Sequence, residues 1–321
     1  MAKAASYNVS TNRESISDIL TVLTPEATPF VSMAKKINAT ATFNEVVVDD
    51  LSVAEFSGVN EGEDVTNFSN KAEKRARIGN YIQAFRRTYA VSNIQELVDS
   101  AGVANEFAHA ESFAIRELKR DVEAAVCSNQ DRQADSGAGS PYKTRGMFKF
   151  LGDGGQPSDI PVFAQCVASD TSTTQTETTF NSVLQSLYEA NGMPGGQLTL
   201  IAGPDLKKEI SDFSRQAPAA GFSYQVTQPA ESKKITLSVN TYEGDFGVVN
   251  VLPSTSLRRT SGSATLDKDA GLLIDPDYVG LHILQAESSS ELENQGGGRR
   301  GFADIICGLA VMGPKAHAFF A

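Results

Sequence analysis

The strongest local signal in the sequence is the helical pattern of residues 94–128. The apolar side chains that recur at helical spacing on one face are Ile115, Leu118, Val122 and Val126. On another face, Lys119 and Glu123 stand four residues apart and predict an exposed ion pair. Gly102 marks the point where the first part of the helix is expected to break. The pattern is much longer than the average globular helix of about 12 residues, so this element dominates the predicted fold.

The segments before this helix predict two β-strands, over residues 42–51 and 77–92. Both are rich in β-branched or aromatic side chains, which favour extended structure. The acidic and polar segment 57–70 lies between them and predicts a loose tip. Together they predict a long two-stranded arm. Such a hairpin is marginally stable alone and needs a surface to lie on.

The start of the chain predicts a jointed apolar arm. Thr11 and Glu14 stand at capping-box spacing before an apolar helical face, which predicts a first helix. Pro25 and Pro29 then predict an extended joint and a second short helix. The side chains that this arm offers for docking are Leu23, Phe30 and Met33.

The pattern changes to short alternating elements between residues 150 and 275, which predicts a mixed α+β domain. The predicted helices cover 180–192 and 204–213, and the predicted strands cover 197–203, 234–244 and 246–254. The last two strands are expected to pair around Gly244 and Asp245. Further strands follow near the C-terminus, and the polar loop 288–301 separates them.

Composition excludes several classes of protein. The formal net charge is −11, from 28 basic and 39 acidic residues, so the surface repels nucleic-acid phosphates. This argues against sequence-specific nucleic-acid binding, although a shell that only encloses nucleic acid remains compatible with it. No apolar run approaches the roughly 20 residues of a membrane span, and the N-terminus lacks the apolar core of a signal peptide. Three widely spaced cysteines predict neither a disulfide framework nor a metal site.

The glycine-rich stretch near the C-terminus formally matches the dinucleotide fingerprint GxGxxG through Gly296, Gly298 and Gly301. A dinucleotide site needs a strand before the motif and a helix that starts within it. Here a polar segment precedes the motif and a β-rich segment follows it. We therefore interpret the stretch as a hairpin tip.

No pattern in the sequence predicts catalytic, cofactor-binding or metal-binding residues. The histidines His109, His282 and His317 are scattered over more than 200 residues, without the close spacing of a zinc site. The carboxylates lie in polar loops that lack the apolar surroundings needed to separate their pKa values. We expect neither an enzyme nor a cofactor.

Charged residues on the predicted arm are candidates for contacts between subunits. The acidic candidates at the tip are Glu61, Glu63 and Asp64. The basic candidates are Arg75, Arg77, Arg86 and Arg87 on the arm, and Arg299 and Arg300 at the glycine-rich hairpin. A simple solvated surface is the alternative interpretation for each of them.

The order of these parts resembles the Hong Kong 97-type major capsid fold of tailed phages, an α+β fold. Short stretches of sequence resemble one major capsid protein family of this fold. They are ISDILTVLTPEATPFVSMAKK at 16–36, FAIRELKRDVEAAVCSNQ at 113–130, RGMFKFL at 145–151 and LLIDPDYVGLHIL at 272–284. The resemblance covers nearly the whole chain.

The resemblance implies a division into the domains of that fold. These are an N-terminal arm at 1–40, an E-loop β-hairpin at 41–92, a P-domain with the spine helix at 93–150, an A-domain at 151–275, and the returning strands of the P-domain with the C-terminus at 276–321. In this interpretation Leu23, Phe30 and Met33 pack on a neighbouring subunit, and Pro25 and Pro29 set the bend of the arm.

The resemblance also implies a function and its partners. The chain is expected to self-assemble through pentamers and hexamers into the icosahedral phage head, which encloses double-stranded DNA without sequence-specific binding. Assembly is expected in the host cytoplasm, and the assembled protein is expected in the virion. The further expected partners are portal, scaffolding and decoration proteins, and the scaffold is expected to be a separate protein. The alternatives are an encapsulin-type compartment and a soluble α+β enzyme with a dispersed active site.

Overall fold

A computed structural model describes residues 28–52, 54–98, 103, 105–137, 139–172, 174–191, 197–213, 240–259 and 265–321. The helices in these ranges are α1 (Pro29–Met33), α2 (Asn93–Leu97), α3 (Glu106–Val126), α4 (Met147–Leu151), α5 (Glu177–Asn191) and α6 (Pro204–Phe213). The first strands are β1 (Lys35–Asn38), β2 (Phe43–Asp49), β3 (Arg75–Tyr81), β4 (Gln83–Val91), β5 (Ala168–Asp170) and β6 (Leu198–Ala202). The others are β7 (Thr241–Gly244), β8 (Gly247–Pro253), β9 (Gly271–Ile274), β10 (Val279–Leu292), β11 (Arg299–Val311) and β12 (Ala318–Phe320).

Contacts divide the chain into two units. Among the described residues, the first unit holds 86–118 and 287–304, and the second unit holds the remainder.

The larger core of the second unit forms around a six-stranded sheet in the order β5-β12-β9-β6-β8-β7. Strand β6 runs parallel to β8 and antiparallel to β9. All five residues of β6 are buried, as expected for a central strand with both faces covered. The fully buried side chains of this core include Phe180, Leu184, Leu200, Leu206, Ile210, Leu273 and Phe320.

The elements predicted between residues 150 and 275 are largely confirmed. Helices α5 and α6 and strands β6 and β8 occupy the predicted positions, and Pro204 stands in the first turn of α6. Strands β7 and β8 pair as predicted, with Gly244 opposite Gly247. The predicted strand residues 234–239 lie outside the described residues.

The C-terminal strand completes this core. Strand β12 inserts between β5, to which it is parallel, and β9, to which it is antiparallel. The Phe320 ring stacks on the Phe180 ring of α5, with 5.4 Å between centroids. Neither side chain is exposed, so the end of the chain is an integral part of the core.

A four-stranded sheet has the order β1-β10-β11-β4. Strands β10 and β11 form the hairpin predicted at the glycine-rich stretch, but its tip is only 293–298. Residues 288–292 and 299–301, predicted as loop, continue the two strands, because serine and arginine fit an exposed strand surface. Gly296 and Gly298 in the tip have positive φ angles of 94° and 129°.

Strands β2 and β3 form a separate two-stranded hairpin, with Phe43 opposite Tyr81 and Asp49 opposite Arg75. The prediction of a single second strand over 77–92 is wrong. The chain leaves this hairpin at the buried Ile82 and continues as β4 in the four-stranded sheet. Strand-forming residues continue through this point, so composition alone gives no sign of the change of sheet.

The helical segment predicted over 94–128, with a break in its first part, contains two described helices, α2 and α3. Residues 99–102 and 104, including the predicted break at Gly102, lie outside the described residues. Leu118, Val122 and Val126 on the predicted apolar face of α3 are buried.

We predict that Phe320→Ala lowers the unfolding free energy by about 3–5 kcal/mol, because it leaves a cavity where a buried ring stacked on Phe180. Val162→Ala is the control, since Val162 is 83% exposed. Urea denaturation followed by circular dichroism measures both. Equal stability of the two variants would contradict the assignment of the C-terminus to the core.

Candidate assembly surfaces

The tip of the β2–β3 hairpin is uncovered by the described part of the chain. Residues 51–70 contain no described strand or helix, and large apolar side chains in this segment are nearly fully exposed. They are Leu51 at 88%, Phe56 at 97%, Val59 at 79%, Val65 at 71% and Phe68 at 87%. A row of exposed large apolar residues on one segment is typical of a surface that binds another molecule.

The acidic candidates Glu61, Glu63 and Asp64 lie in the same tip and are exposed. Glu63 accepts hydrogen bonds from the backbone N–H and the side-chain amide of Asn60, at 3.2 and 3.0 Å, which closes a local turn. The tip therefore carries negative charge in the same segment as the exposed apolar residues.

The arginines Arg75 and Arg77 pair across the hairpin. Arg75 lies directly opposite Asp49 and approaches its carboxylate to 2.8 Å, whereas Arg77 lies diagonally to Glu45 at 3.4 Å. Cross-strand pairs of opposite charge favour one register of a hairpin. Both arginines remain largely exposed.

A buried polar network holds the root of the hairpin, and no pattern in the sequence predicts it. Asn80 of β3 is 4% exposed. Its side-chain amide donates to Thr144 Oγ1 at 2.9 Å and to the Leu309 carbonyl at 2.8 Å, and its oxygen accepts the Arg145 N–H at 2.8 Å. One side chain of the hairpin is thus bonded to two separate segments of the second unit, which restricts the direction of the hairpin.

Two arginines next to this network complete the root. Arg132 donates to the Gly79 carbonyl at 2.6 Å, and its guanidinium lies 5.3 Å from the centroid of the Phe43 ring. Arg145 is almost fully buried and makes a bidentate pair with Asp159, at 2.8 and 2.9 Å. Burial opposes the charge on Arg145, but hydrogen bonds to Asp159 and Asp131 outweigh it and raise the pKa of Arg145. The buried charge is therefore compensated.

The short helix α1 is tied to α3 by the carboxylate of Glu123. Its two oxygens accept the backbone N–H groups of Phe30 and Val31, at 2.9 and 2.8 Å. Glu123 is fully buried, and this burial raises its pKa to about 7. The prediction that Glu123 lies on a face of α3 away from the core is wrong, because its carboxylate is buried and accepts backbone N–H groups at the start of α1, which have no partner within that helix.

The structure corrects one docking residue of the arm and leaves others open. Phe30 is fully buried within its own chain, so the prediction that it packs on a neighbouring subunit is wrong. Burial of an apolar ring is favourable in any apolar surroundings, and the core of its own chain provides them for Phe30. Met33 and Pro29 are partly exposed on α1. Leu23 and Pro25 lie outside the described residues.

Arg86 and Arg87 of β4 have partners within the first unit. Arg86 lies 3.5 Å from the Asp304 carboxylate and 4.7 Å from the centroid of the Phe302 ring, and Arg87 lies 3.8 Å from Glu117. The Arg86 side chain is still 63% exposed. The Arg87–Glu117 pair is exposed on both sides and contributes little stability. The Asp304 partner of Arg86, by contrast, is buried.

Arg299 is the centre of a polar cluster at the glycine-rich hairpin. It approaches Glu96 of α2 and Glu291 of β10, both to 2.8 Å, and lies 4.0 Å from the centroid of the Phe107 ring. Hydrogen bonds to Glu291 and Glu96 raise the pKa of Arg299. Arg300 donates to the Glu293 carbonyl at 3.1 Å. Both arginines start β11 and do not stand at the loop tip where they were predicted.

Within the described ranges, no group of three or more His, Cys, Asp or Glu side chains is placed to bind a metal ion. A cavity of about 290 Å3 lies beside β2, between Val47, Tyr278 and Met312. Its charged side chains Asp50 and Lys315 approach each other to 3.4 Å. No described helix is both long and apolar enough to span a membrane.

The comparisons with known proteins identify the family. A family model described as SU10 major capsid protein matches residues 3–321. The chain belongs to this major capsid protein family. A search of curated proteins finds no match.

Solved structures place this family member in the predicted fold. The capsid of the native GTA particle has a TM-score of 0.63 at 13% identity and covers 98% of this chain and 96% of its own. The Mycobacterium phage Che8 structure has a TM-score of 0.59 at 13% identity, with 97% of both chains covered. The holo-SrpI encapsulin complex from Synechococcus elongatus PCC 7942 has a TM-score of 0.56 at 12% identity, with 100% and 95% covered. The α+β fold of the Hong Kong 97 type is therefore confirmed.

The fold alone does not separate phage heads from encapsulin compartments, since both types of shell are similar to it. The family match identifies the chain as a phage capsid protein and not as a compartment protein. This member of the family is a structural shell protein that self-associates and is located in the virion.

We predict that Asn80→Ala loosens the hairpin root, because it leaves the buried Arg145 N–H and Leu309 carbonyl without this partner. Such a loss costs about 1–3 kcal/mol for each unsatisfied group. Hydrogen exchange of β2 and β3 should accelerate, while exchange of β6 stays unchanged. Asn44→Ala is the control on the same hairpin, since the Asn44 amide group donates to the nearby Ala41 carbonyl. Equal exchange in both variants would show that the network does not hold the hairpin.

The raised pKa of Glu123 predicts a pH-dependent stability. Its folded-state pKa is about 7 against an ordinary value of 4.5, so its stabilising contribution is complete below pH 4.5 and is lost as the pH rises through 7. The unfolding free energy lost across this pH range is about 3 kcal/mol. In Glu123→Gln this part of the pH dependence should disappear, whereas Glu117→Gln, on the exposed face of the same helix, should retain it. Unfolding free energies from pH 5 to pH 8 test this. An unchanged pH slope in Glu123→Gln would refute it.

Proposed function

We propose that this chain assembles through five- and six-membered rings into the closed icosahedral head that encloses phage double-stranded DNA. The observation that carries the proposal is the tip of the β2–β3 hairpin, where Phe56 and Phe68 are 97% and 87% exposed. A two-stranded hairpin with exposed aromatic side chains is marginal in water. A second copy that covers this tip removes the apolar surface from solvent.

A ring follows from the difference between the two contacting surfaces. The hairpin tip of one copy must lie on another part of the next copy, which makes the contact heterologous. Heterologous contacts close into rings when the rotation between copies permits it. The buried root network supports this arrangement, because it fixes the direction in which each hairpin leaves its own subunit.

We propose a domain assignment in which the hairpin segment ends earlier than the sequence suggested. We assign residues 1–40 to the N-terminal arm and 41–81 to the E-loop, because β4 belongs to the four-stranded sheet. We assign 82–150 to the P-domain with α3 as its spine helix, and 151–275 to the A-domain. The tail 276–321 returns to the P-domain, except that β12 joins the A-domain sheet.

The charged candidates are proposed to act at these contacts. Residues that remain exposed enough for a neighbouring copy are Glu61, Glu63, Asp64, Arg75, Arg77, Arg86 and Arg87. Pairing of acidic tips with basic side chains of the next copy would select the correct docking position more than it would add affinity.

The net charge of the chain supports the proposed contents of the shell. A net charge of −11 suits a container whose wall must not adsorb packed DNA. We propose assembly in the host cytoplasm, with portal, scaffolding and decoration proteins as further partners.

We predict that the double variant Phe56→Ser, Phe68→Ser folds normally, because substitutions of exposed residues change stability by no more than about 0.5 kcal/mol. Its assembly should fail, because the tip loses the apolar side chains that a second copy covers. Light scattering and negative-stain microscopy of the purified proteins measure particle yield.

Val162→Ser is the matched control, since Val162 is similarly exposed at 83% but lies outside the hairpin. It should assemble like the wild-type protein. Closed shells of the double variant in wild-type yield would overturn the assignment of the hairpin tip. A wild-type chain that stays small even with its scaffolding protein would overturn the proposed function itself.

A further inference from the structure

Helix α2 and the residue after it carry apolar side chains that the described part of the chain leaves exposed. Ile94 and Leu97 lie three residues apart on one side of the helix, and Val98 follows directly as its C-cap in an extended conformation. They are 76%, 87% and 55% exposed, and none of the α2 residues is buried. Exposed apolar residues are common singly, but three in one short segment, here called the α2 face, form a patch.

Polar contacts, and not burial, hold this helix in place. The Ser92 hydroxyl accepts the Gln95 N–H at 3.2 Å, as an N-cap. Asn294 of the hairpin tip donates to Asn93 at 3.4 Å, and Arg299 binds Glu96 at 2.8 Å. An isolated helix of five residues is unstable in water. The fold therefore uses several polar contacts to display an apolar face.

Ring contacts and a hydrogen bond support the side chains that hold α2. The Arg299 guanidinium lies on the buried Phe107 ring, which contacts the Tyr89 ring at 5.2 Å between centroids. The Tyr89 hydroxyl hydrogen-bonds the Ser289 hydroxyl at 2.7 Å. A Cβ atom at Gly298 would collide with the Val91 carbonyl, so only glycine lets the hairpin tip approach the chain just before α2.

From this arrangement we infer that the α2 face is a contact between copies of this chain, in which Ile94, Leu97 and Val98 of one copy pack on the same residues of a second copy. The inference rests on the proposed function, since it needs a closed shell. It adds a second contact surface to the hairpin tip.

The charges around the face fit an identical partner. Glu96, Glu291 and Glu293 lie beside Arg299 and Arg300, so the rim of the patch carries both signs. Two identical copies can place opposite charges together around an apolar centre, whereas a rim of one sign would repel its own copy. A strongly basic or strongly acidic partner would meet charges of its own sign on part of this described rim.

The area of the patch explains why it would act only within a shell. Three aliphatic side chains bury on the order of 300 Å2 per copy. A stable pairwise interface needs roughly 1,200 Å2 or more in total. The face therefore cannot hold a dimer in solution, but it adds to many other contacts when neighbouring copies are already positioned.

The test uses Leu97→Cys in assembled particles and in dissociated subunits. The native thiols give little background, because Cys127, Cys166 and Cys307 are buried and burial raises the pKa of Cys166 and Cys307 to about 12. We expect maleimide labelling of the introduced thiol to slow by about tenfold or more on assembly, as for a site that reacts only after local opening. Mild oxidation of particles should give disulfide-linked pairs of chains.

Val162→Cys is the control for reagent access and should form no disulfide, because Val162 lies outside the proposed contact. Equal labelling of Leu97→Cys in particles and subunits would overturn the inference, and would leave the face to a separate decoration protein. Slow labelling in free subunits that accelerates after deletion of residues 1–27 would also overturn it, because the arm would then cover the face. A wild-type chain that forms no particles overturns the proposed function and this inference with it.

Discussion

Two strands cannot bury both faces of a hairpin, and the rest of this structure depends on that constraint. The β2–β3 hairpin carries Phe56 and Phe68 at a tip that the described part of the chain leaves uncovered. The described part of a single subunit therefore leaves apolar surface exposed to solvent, and the proposed ring would cover it, because each tip would lie on the next copy. The six-stranded core supplies the stability that the hairpin lacks. The core therefore serves folding, and the hairpin is proposed to serve assembly.

Buried polar groups determine where the exposed parts leave the core. Asn80, Arg132 and Arg145 fix the root of the hairpin, and Glu123 fixes the start of α1. Buried polar networks are costly if incomplete, so they permit few alternative geometries. A shell requires this restriction, since a small error in the direction of each hairpin would accumulate around a ring. Helix α2 is also held beside the glycine-rich hairpin by polar contacts, but these contacts are exposed.

Helical periodicity and strand composition predicted α3, α5, α6, β6 and β8, because each of these elements buries a regular apolar face in its own core. The loose acidic tip at 57–70 was also predicted from the sequence, but the exposed apolar residues within and beside it were not. The change of sheet at Ile82 was not predicted either, because strand-forming residues continue across it. Glu123 reads as a surface residue of α3, since only the distant Phe30 and Val31 N–H groups explain its burial. Contacts between residues far apart in sequence leave no periodic signal.

The most direct test of the central claim is electron cryomicroscopy of particles formed by the wild-type chain. We predict closed shells of five- and six-membered rings, in which density for residues 51–70 crosses to the neighbouring copy and covers Phe56 and Phe68. Shells in which this segment contacts only its own chain or solvent would contradict the account, because the exposed tip would then have no part in assembly.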